Sequence, residues 1–232
     1  MEQKLNIEVT GNELTIREGK ALDLKPKEKV SLSGTITAPG DYALTRASTF
    51  DKLSCNVLAN YTSRTIVLTI NEGDPLASTI KGTLDIFPEL ETLGVNKNRM
   101  YSEKELYSKL NFFGRYFSDK AAHKDLLTKL QQFKAKVQRD FVNADDYKGT
   151  AAIEKITKIE HEIPLSFQLN IPIFTGGAHK TFTVNINITA TDGGISFWFE
   201  SVDMHEIISR ETDSIFSLEL DRLSNFLVVK QW

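Results

Sequence analysis

The stretch SEKELYSKLNFFGRYFSDKAAHKDLLTKLQQFKAKVQRDF, residues 102–141, is the longest run with helical periodicity and no proline. β-type sequence lies on both sides of it. Ser102 and Glu105 match a capping box, in which each side chain accepts a hydrogen bond from the backbone N–H group of the other residue. We therefore expect a helix to begin at Ser102.

Two apolar stripes within this stretch predict a helical hairpin. Their members recur at steps suited to one helix face. They are Leu106, Leu110, Phe113 and Phe117 in the first stripe, and Leu126, Leu127, Leu130, Phe133, Val137 and Phe141 in the second. Gly114 interrupts the first stripe and weakens it. At 100° per residue, a basic set falls on the opposite face of the second helix. It consists of Lys124, Lys129, Lys136 and Arg139.

Alternating apolar and polar residues on both sides of the hairpin predict antiparallel strands. We expect an α+β fold with an N-terminal antiparallel β region at residues 1–100 and a central helical hairpin at 101–145. A C-terminal β region with a terminal amphipathic helix follows at 146–232. Residues 41–54 have weak periodicity and are interpreted as a loop with one irregular helical turn. The pattern leaves open whether the chain forms one domain, or two domains joined through the hairpin.

The composition limits the classes of protein to which the chain can belong. The chain has 232 residues, of which 41% are hydrophobic and 25% are charged, as is typical of globular proteins. Its single cysteine, Cys55, has no partner for an intramolecular disulfide, which favours a reducing cytoplasm. The first residues lack the pattern of a signal peptide, and no window approaches the ~18 apolar residues of a membrane span. We expect a cytoplasmic protein that does not insert into a membrane.

Charge is distributed unevenly. The formal net charge is −3. Residues 102–141 contain nine basic and five acidic side chains, which gives +4 there and −7 in the remainder. Such asymmetry is able to steer an anionic partner to the helical side. An ordinary solvated helix face has the same pattern, so the sequence leaves both interpretations open.

Aromatic and basic residues of the hairpin are the candidate nucleic-acid-binding residues. Tyr107, Phe112 and Tyr116 lie off the main apolar stripe of the first helix. With Arg115 and the four basic residues of the second helix, they are suited to stack bases and follow phosphates of single-stranded nucleic acid. Two alternatives remain: the rings pack the hairpin onto the β region, or they bind another subunit.

Candidate chemistry is confined to one acidic loop. Glu72 and Asp74 in the turn NEGDP are candidate Mg²⁺ ligands, because Mg²⁺ often takes one or two carboxylates and several waters. The alternative is a solvated turn whose residues serve turn geometry. The histidines occur singly, without the short ligand spacing typical of zinc sites, and no serine nucleophile motif is present. The sequence predicts no cofactor.

Several segments together resemble an uncharacterised protein family. They are EGKALDLKPKEKVSLSGTI, TIVLTINEGDP, IKGTLDIFPEL, FFGRYF, FKAKV and IPLSFQLNIPIF with the two-glycine turn after it. The family is a domain of unknown function carried by bacterial viruses and prophages, notably in the Bacteroidetes, and the similarity spans about residues 18–201. The resemblance implies expression in the cytoplasm of an infected or lysogenic bacterium and a role in the phage programme. It implies no activity and no site residues.

These observations favour a non-enzymatic phage accessory protein that acts by binding. The expected partner is single-stranded nucleic acid, or a phage or host protein of DNA metabolism, and self-association is also expected. One competing hypothesis is a metal-assisted hydrolase or nuclease that uses Glu72 and Asp74. Another is a phage assembly or structural protein. The sequence leaves the question of catalytic activity open.

Overall fold

The computed structural model describes residues 29–46, 48–142, 164–191 and 194–232. Side chains are described in these ranges except at residues 133–142, 190, 191 and 194. The first part of the predicted N-terminal β region, residues 1–28, lies outside the described residues. So does the segment 143–163, which includes the start of the predicted C-terminal region.

The described residues form five α-helices and eight strands in two sheets, which confirms the predicted α+β class. The strands are β1 Ser31–Thr35, β2 Asn56–Asn60, β3 Thr65–Ile70, β4 Ser78–Thr83, β5 Ser166–Pro172, β6 His179–Thr191, β7 Gly194–Glu200 and β8 Leu227–Gln231. The helices are α1 Ala38–Thr45, α2 Pro88–Leu93, α3 Glu103–Phe112, α4 Lys120–Val142 and α5 Val202–Arg222. In this part of the chain, none of the helices combines the length and apolar character that crossing a bilayer requires.

The first sheet has the strand order β1-β4-β3-β2-β8. Its three central strands form the antiparallel meander that the sequence predicts. Its outer strands differ from the prediction, because β1 pairs with β4 in parallel and β8 pairs with β2 in parallel. The first β region is therefore a mixed sheet and not wholly antiparallel, and its last strand comes from the C-terminal end of the chain. Parallel neighbours need a long crossover, and the intervening helices and strands supply it.

Helix α1 occupies part of the segment that the sequence analysis interprets as a loop. Pro39 lies in its first turn, where the missing N–H group has no intrahelical partner to lose. The helix approaches β4 closely at Gly82, where an added Cβ atom would lie 2.7 Å from Cδ of Pro39 and 2.8 Å from the carbonyl oxygen of Ile36. The predicted loop at residues 41–54 is therefore correct only in part, because its first residues, 41–45, belong to α1.

The second sheet is antiparallel throughout, with the order β5-β6-β7. Alternate residues of each strand are buried, as the period of two predicts. They include Phe167, Leu169, Ile171, Phe182, Val184, Ile186, Phe197 and Phe199. Helix α5 follows β7 and begins at the N-cap residue Ser201, whose hydroxyl accepts a hydrogen bond from the N–H group of Met204 at 3.0 Å.

Helix α3 begins with the predicted capping box. The N–H group of Ser102 donates to Glu105 Oε2 at 2.8 Å, and the N–H group of Glu105 donates to Ser102 Oγ at 3.4 Å. The Ser102 N–H group, and then the Ser102 hydroxyl, donate to the Glu105 carboxylate and lower its pKa. The helix ends at Phe112 and continues as a 3₁₀ turn, Phe113–Tyr116. The imidazole ring of His123 occupies the space that a side chain at Gly114 would need, which accounts for the glycine in the stripe.

Isolated β-bridges attach the hairpin to the second sheet. Tyr101 pairs with Phe197 just before α3, and Phe117 pairs with Leu169 just after the 3₁₀ turn. The predicted stripe residues of the first helix are buried, as are Leu126 and Leu130 of α4. Buried apolar side chains of both sheets and of the hairpin belong to one connected hydrophobic cluster in the described part of the chain. The hairpin therefore packs on the β structure through its apolar side, and its polar side faces solvent.

Candidate binding surface on the helical hairpin

Phe112 is the most exposed of the aromatic residues predicted to bind. Its side chain is 62% exposed at the last position of α3. The ring contacts Phe113 edge-on, with 5.2 Å between the centroids, and Phe113 is fully buried. A buried ring thus contacts the exposed ring on one side, and most of the Phe112 surface is open to solvent.

Tyr116 lies at the end of the 3₁₀ turn and contacts one ring of the same turn and rings from two other parts of the chain. Its centroid is 6.1 Å from that of Phe113, 6.2 Å from that of Phe87 and 6.4 Å from that of the His179 imidazole. Phe87 precedes α2, and His179 begins β6. Phe112 and Tyr116 each contact buried Phe113, and Phe87 and His179 each contact Tyr116. We call Phe87, Phe112, Tyr116 and His179 the aromatic strip. Phe87 and Tyr116 are half-buried, whereas His179 is exposed like Phe112.

Two basic side chains border the aromatic strip. The guanidinium group of Arg115 lies over the ring of Tyr116, 4.7 Å from its centroid, a cation–π arrangement. It also forms an ion pair with Glu89 at 3.1 Å. Lys120 Nζ donates to the carbonyl oxygens of Gly114 at 2.7 Å and of Arg115 at 2.9 Å. The strip therefore carries two cations and one carboxylate at its edge.

The remaining predicted residues lie elsewhere on α3 and α4. The hydroxyl of Tyr107 accepts a hydrogen bond from Gln131 Nε2 at 2.7 Å, so this ring links α3 to α4. Lys124 is exposed, whereas Lys129 forms an ion pair with Asp125 at 2.8 Å. The ion pair reduces the net positive charge of the predicted basic face. The side chains of two predicted members, Lys136 and Arg139, lie outside the described residues.

Lys109 illustrates how the fold uses a basic residue of the hairpin internally. Its ammonium group donates to the carbonyl oxygen of Thr92 at 2.7 Å and lies 5.8 Å from the ring centroid of Tyr101. Burial, and then the positive charge of Arg99, lowers the pKa of Lys109, although the carboxylate of Glu105 opposes this shift. Lys109 therefore links α3 to the end of α2, and its ammonium group is engaged in this contact.

The acidic loop between β3 and β4 holds the two predicted metal ligands. Glu72 accepts a hydrogen bond from the side-chain amide of Asn56, and its own N–H group donates to the carbonyl oxygen of Ser54 at 2.8 Å. Asp74 Oδ1 accepts from the N–H group of Leu76 at 2.8 Å. Both carboxylates thus have roles in the loop itself. Among the described residues, no group of three or more histidine, cysteine, aspartate or glutamate side chains is placed to hold a metal ion.

The sequence analysis did not identify Phe87 and His179 as partners of the hairpin aromatics. Their contacts with Tyr116 depend on tertiary packing across long sequence separations, and no local motif marks either residue. None of the protein-family models, curated proteins and solved structures with which the chain was compared matches it.

Proposed function

We propose that the protein acts by binding single-stranded nucleic acid, with the aromatic strip of the hairpin as the contact surface. The observation that carries the proposal is the exposed ring of Phe112, which buried Phe113 contacts on one side. Every nucleobase has a flat π face, so exposed aromatic rings bind unpaired bases with little regard to sequence. A duplex keeps its bases stacked inside and offers no such faces.

Basic side chains beside the strip support the same partner. Arg115 and Lys120 border the rings, and exposed Lys124 extends the positive charge along α4. Ion pairs of Arg115 with Glu89 and of Lys129 with Asp125 limit the total positive charge. We therefore expect base stacking to contribute a large share of the affinity, with a modest dependence on salt from few phosphate contacts.

The experiment is fluorescence anisotropy with a labelled single-stranded oligonucleotide and the matching duplex, each at low and high salt. Binding of the single strand in preference to the duplex is expected. Phe112→Ala should weaken single-strand binding about tenfold, since stacking on one ring contributes about 1–3 kcal/mol. Leu218→Ala is the matched control, because Leu218 of α5 is 63% exposed and lies outside the hairpin. Equal affinities of the wild type and Phe112→Ala would overturn the proposal.

A second pair of variants tests the electrostatic contribution to the binding of the single strand. Lys124→Glu should weaken binding and make it less sensitive to salt, because each phosphate contact adds about one unit to the salt slope. Lys81→Glu makes the same charge change at an exposed position of β4. If both variants reduce affinity equally, the effect comes from net charge alone, and α4 does not contact the single-stranded nucleic acid.

The cellular setting follows from the family resemblance. We propose that the protein works in the cytoplasm of a bacterium that carries the phage or prophage, where single strands arise during replication and recombination of phage DNA. Self-association would place several aromatic strips along one strand. Light scattering on the sample used for anisotropy tests this, and a monomer at all concentrations would exclude self-association as part of the mechanism.

A further inference from the structure

A second surface feature is a cleft of about 250 Å³ at one end of the first sheet. Its walls come from the β2–β3 turn, from one face of α5 and from the residue after β8. Tyr61 and Trp232 meet there because β8 pairs with β2 in the register that places Gln231 opposite Asn60. No part of the hairpin lines this cleft.

A stacked aromatic pair forms one wall of the cleft. The rings of Tyr61 and Trp232 are 4.1 Å apart at the centroids, with 15° between their planes. On its other side Tyr61 contacts buried Phe216, with a centroid distance of 4.5 Å. Trp232 remains 75% exposed. The wall is thus a supported indole ring whose surface is largely open, and a flat ligand ring is able to stack on it.

Two polar atoms beside this wall lack partners. In the part of the chain that the structure describes, Arg64 Nε and Thr212 Oγ1 are the only buried side-chain nitrogen or oxygen atoms without a hydrogen bond. Both residues line the cleft, and Thr212 is only 6% exposed. A buried polar group without a partner is unfavourable and rare in native proteins. Both atoms lie beneath the surface of one cleft, so a bound molecule completes their hydrogen bonds when the two side chains turn toward it.

The charges at the cleft have both signs. Arg64 supplies a cation and Asp213 supplies a carboxylate, and neither forms an ion pair with another described residue. Asp213 lines the cleft together with Tyr61. Burial, and then the negative charge of Asp213, raises the pKa of Tyr61. A ligand that fits has hydrogen-bond acceptors for Arg64 and Thr212 and donors for Asp213. A phosphate group is disfavoured because it would face this carboxylate.

We propose that the cleft is a binding site for a nucleobase, carried either by a free nucleoside or by a nucleotide of a single strand. A nucleobase is flat and presents acceptors and donors along one edge, which matches the indole wall, the two unpartnered atoms and the carboxylate. Purines bind more tightly than pyrimidines, because the larger ring covers more of Trp232. The site does not depend on the hairpin surface, since the two use different elements.

The fluorescence of Trp232 is expected to report ligand binding in the cleft. The chain has two tryptophans, Trp198 and Trp232, so Trp198→Phe leaves Trp232 as the sole tryptophan, whose emission is excited selectively above the tyrosine absorption. Titrating this variant with guanosine, adenosine, cytidine and uridine should give saturable quenching, strongest for the purines. A single-stranded oligonucleotide titrated in parallel separates the two sources of the base. Quenching by the oligonucleotide alone assigns the base to a strand, and quenching by nucleosides assigns it to a free ligand.

Thr212→Val in the same background tests the unpartnered hydroxyl. The valine methyl group replaces a hydroxyl that has no partner in the free protein, so the melting temperature should not fall. Affinity should fall about three- to tenfold, because one hydrogen bond to the ligand is lost. Thr128→Val is the control: its hydroxyl donates to the carbonyl oxygen of Lys124 at 2.8 Å on α4, outside the cleft.

Three results would contradict the proposal that the cleft binds a nucleobase. They are no saturable quenching by any nucleoside or by the oligonucleotide, unchanged affinity in Thr212→Val, and a lower melting temperature in that variant. The outcomes remain distinct from those of the hairpin experiment. Phe112→Ala should weaken oligonucleotide binding in anisotropy and leave nucleoside quenching of Trp232 unchanged, so each site can fail alone.

Discussion

Tyr101 and Phe197 exchange two backbone hydrogen bonds. The N–H group of Tyr101 donates to the carbonyl oxygen of Phe197 at 2.7 Å, and that of Phe197 donates back at 2.9 Å. The Tyr101 hydroxyl also donates to the carbonyl oxygen of Leu93 at 2.7 Å, at the end of α2. One buried tyrosine therefore joins the start of the helical hairpin to β7 and to the preceding helix. The position of the candidate binding surface depends on this junction.

Tyr101→Phe should lower the free energy of unfolding by about 1–2 kcal/mol. The substitution keeps the ring but leaves the buried carbonyl oxygen of Leu93 without its donor. Urea denaturation followed by circular dichroism measures the change. Tyr107→Phe is the matched control, because the Tyr107 hydroxyl is the acceptor for Gln131 at a half-exposed site. Equal losses in the two variants would contradict the special role of Tyr101.

Gly94→Ala should destabilise the protein by about 3 kcal/mol for two reasons. Gly94 has φ of +77°, a conformation that a residue with a side chain adopts only with strain, and its added Cβ atom would clash with the Tyr101 hydroxyl. Gly176→Ala separates the two causes. Gly176 has φ of +76° and no atom within 4 Å of an added Cβ atom, so strain of about 1 kcal/mol is expected there.

The double variant Gly94→Ala/Tyr101→Phe completes the comparison. Removing the hydroxyl removes the atom that the new methyl group meets, so the combined loss should be smaller than the sum of the two single losses. Thermal denaturation of the wild type, the two single variants and the double variant gives the four stabilities of this double-mutant cycle. Strict additivity would show that the alanine acts only through the backbone strain and not through contact with Tyr101.

Acid should weaken the junction between α1 and α5. Asp41 forms an ion pair with Arg222, and the hydrogen bonds from Arg222 and then Thr37 hold its pKa below the usual 3.8. A carboxylate with a lowered pKa stabilises the fold above its unfolded-state pKa, and this contribution is lost as pH falls through the folded-state value. Asp41→Asn should therefore be less stable than the wild type near neutral pH, and the difference should shrink below about pH 4.

Urea denaturation of both proteins over a pH series measures this difference. The effect should be small, because the Asp41 side chain is 60% exposed and water screens the ion pair. Asp221→Asn removes one negative charge from an exposed position of α5 and controls for net charge. A stability difference between the wild type and Asp41→Asn that stays constant down to low pH would contradict the assignment.

Local patterns predicted the elements whose causes are local. The capping box at Ser102, the stripe of α3, the central meander of the first sheet and the amphipathic helix α5 all follow from residues within a few positions of one another. Helix α1, with Pro39 in its first turn, was not predicted, because proline ends a strand and begins a helix equally well. Only contact with Gly82 shows which role it has here.

The sequence by itself determined the α+β class, the hairpin and its apolar and polar sides, because these depend on periodicities of two and 3.6 residues. Tertiary structure alone decided the parallel outer strands, the contacts of Tyr116 with Phe87 and His179, and the cleft that the stacked rings of Tyr61 and Trp232 line. The physical reason is the distance along the sequence between the residues that interact. Hydrophobic burial and helix capping are encoded over one or two turns, whereas strand pairing and ring contacts between distant segments depend on how the whole chain packs.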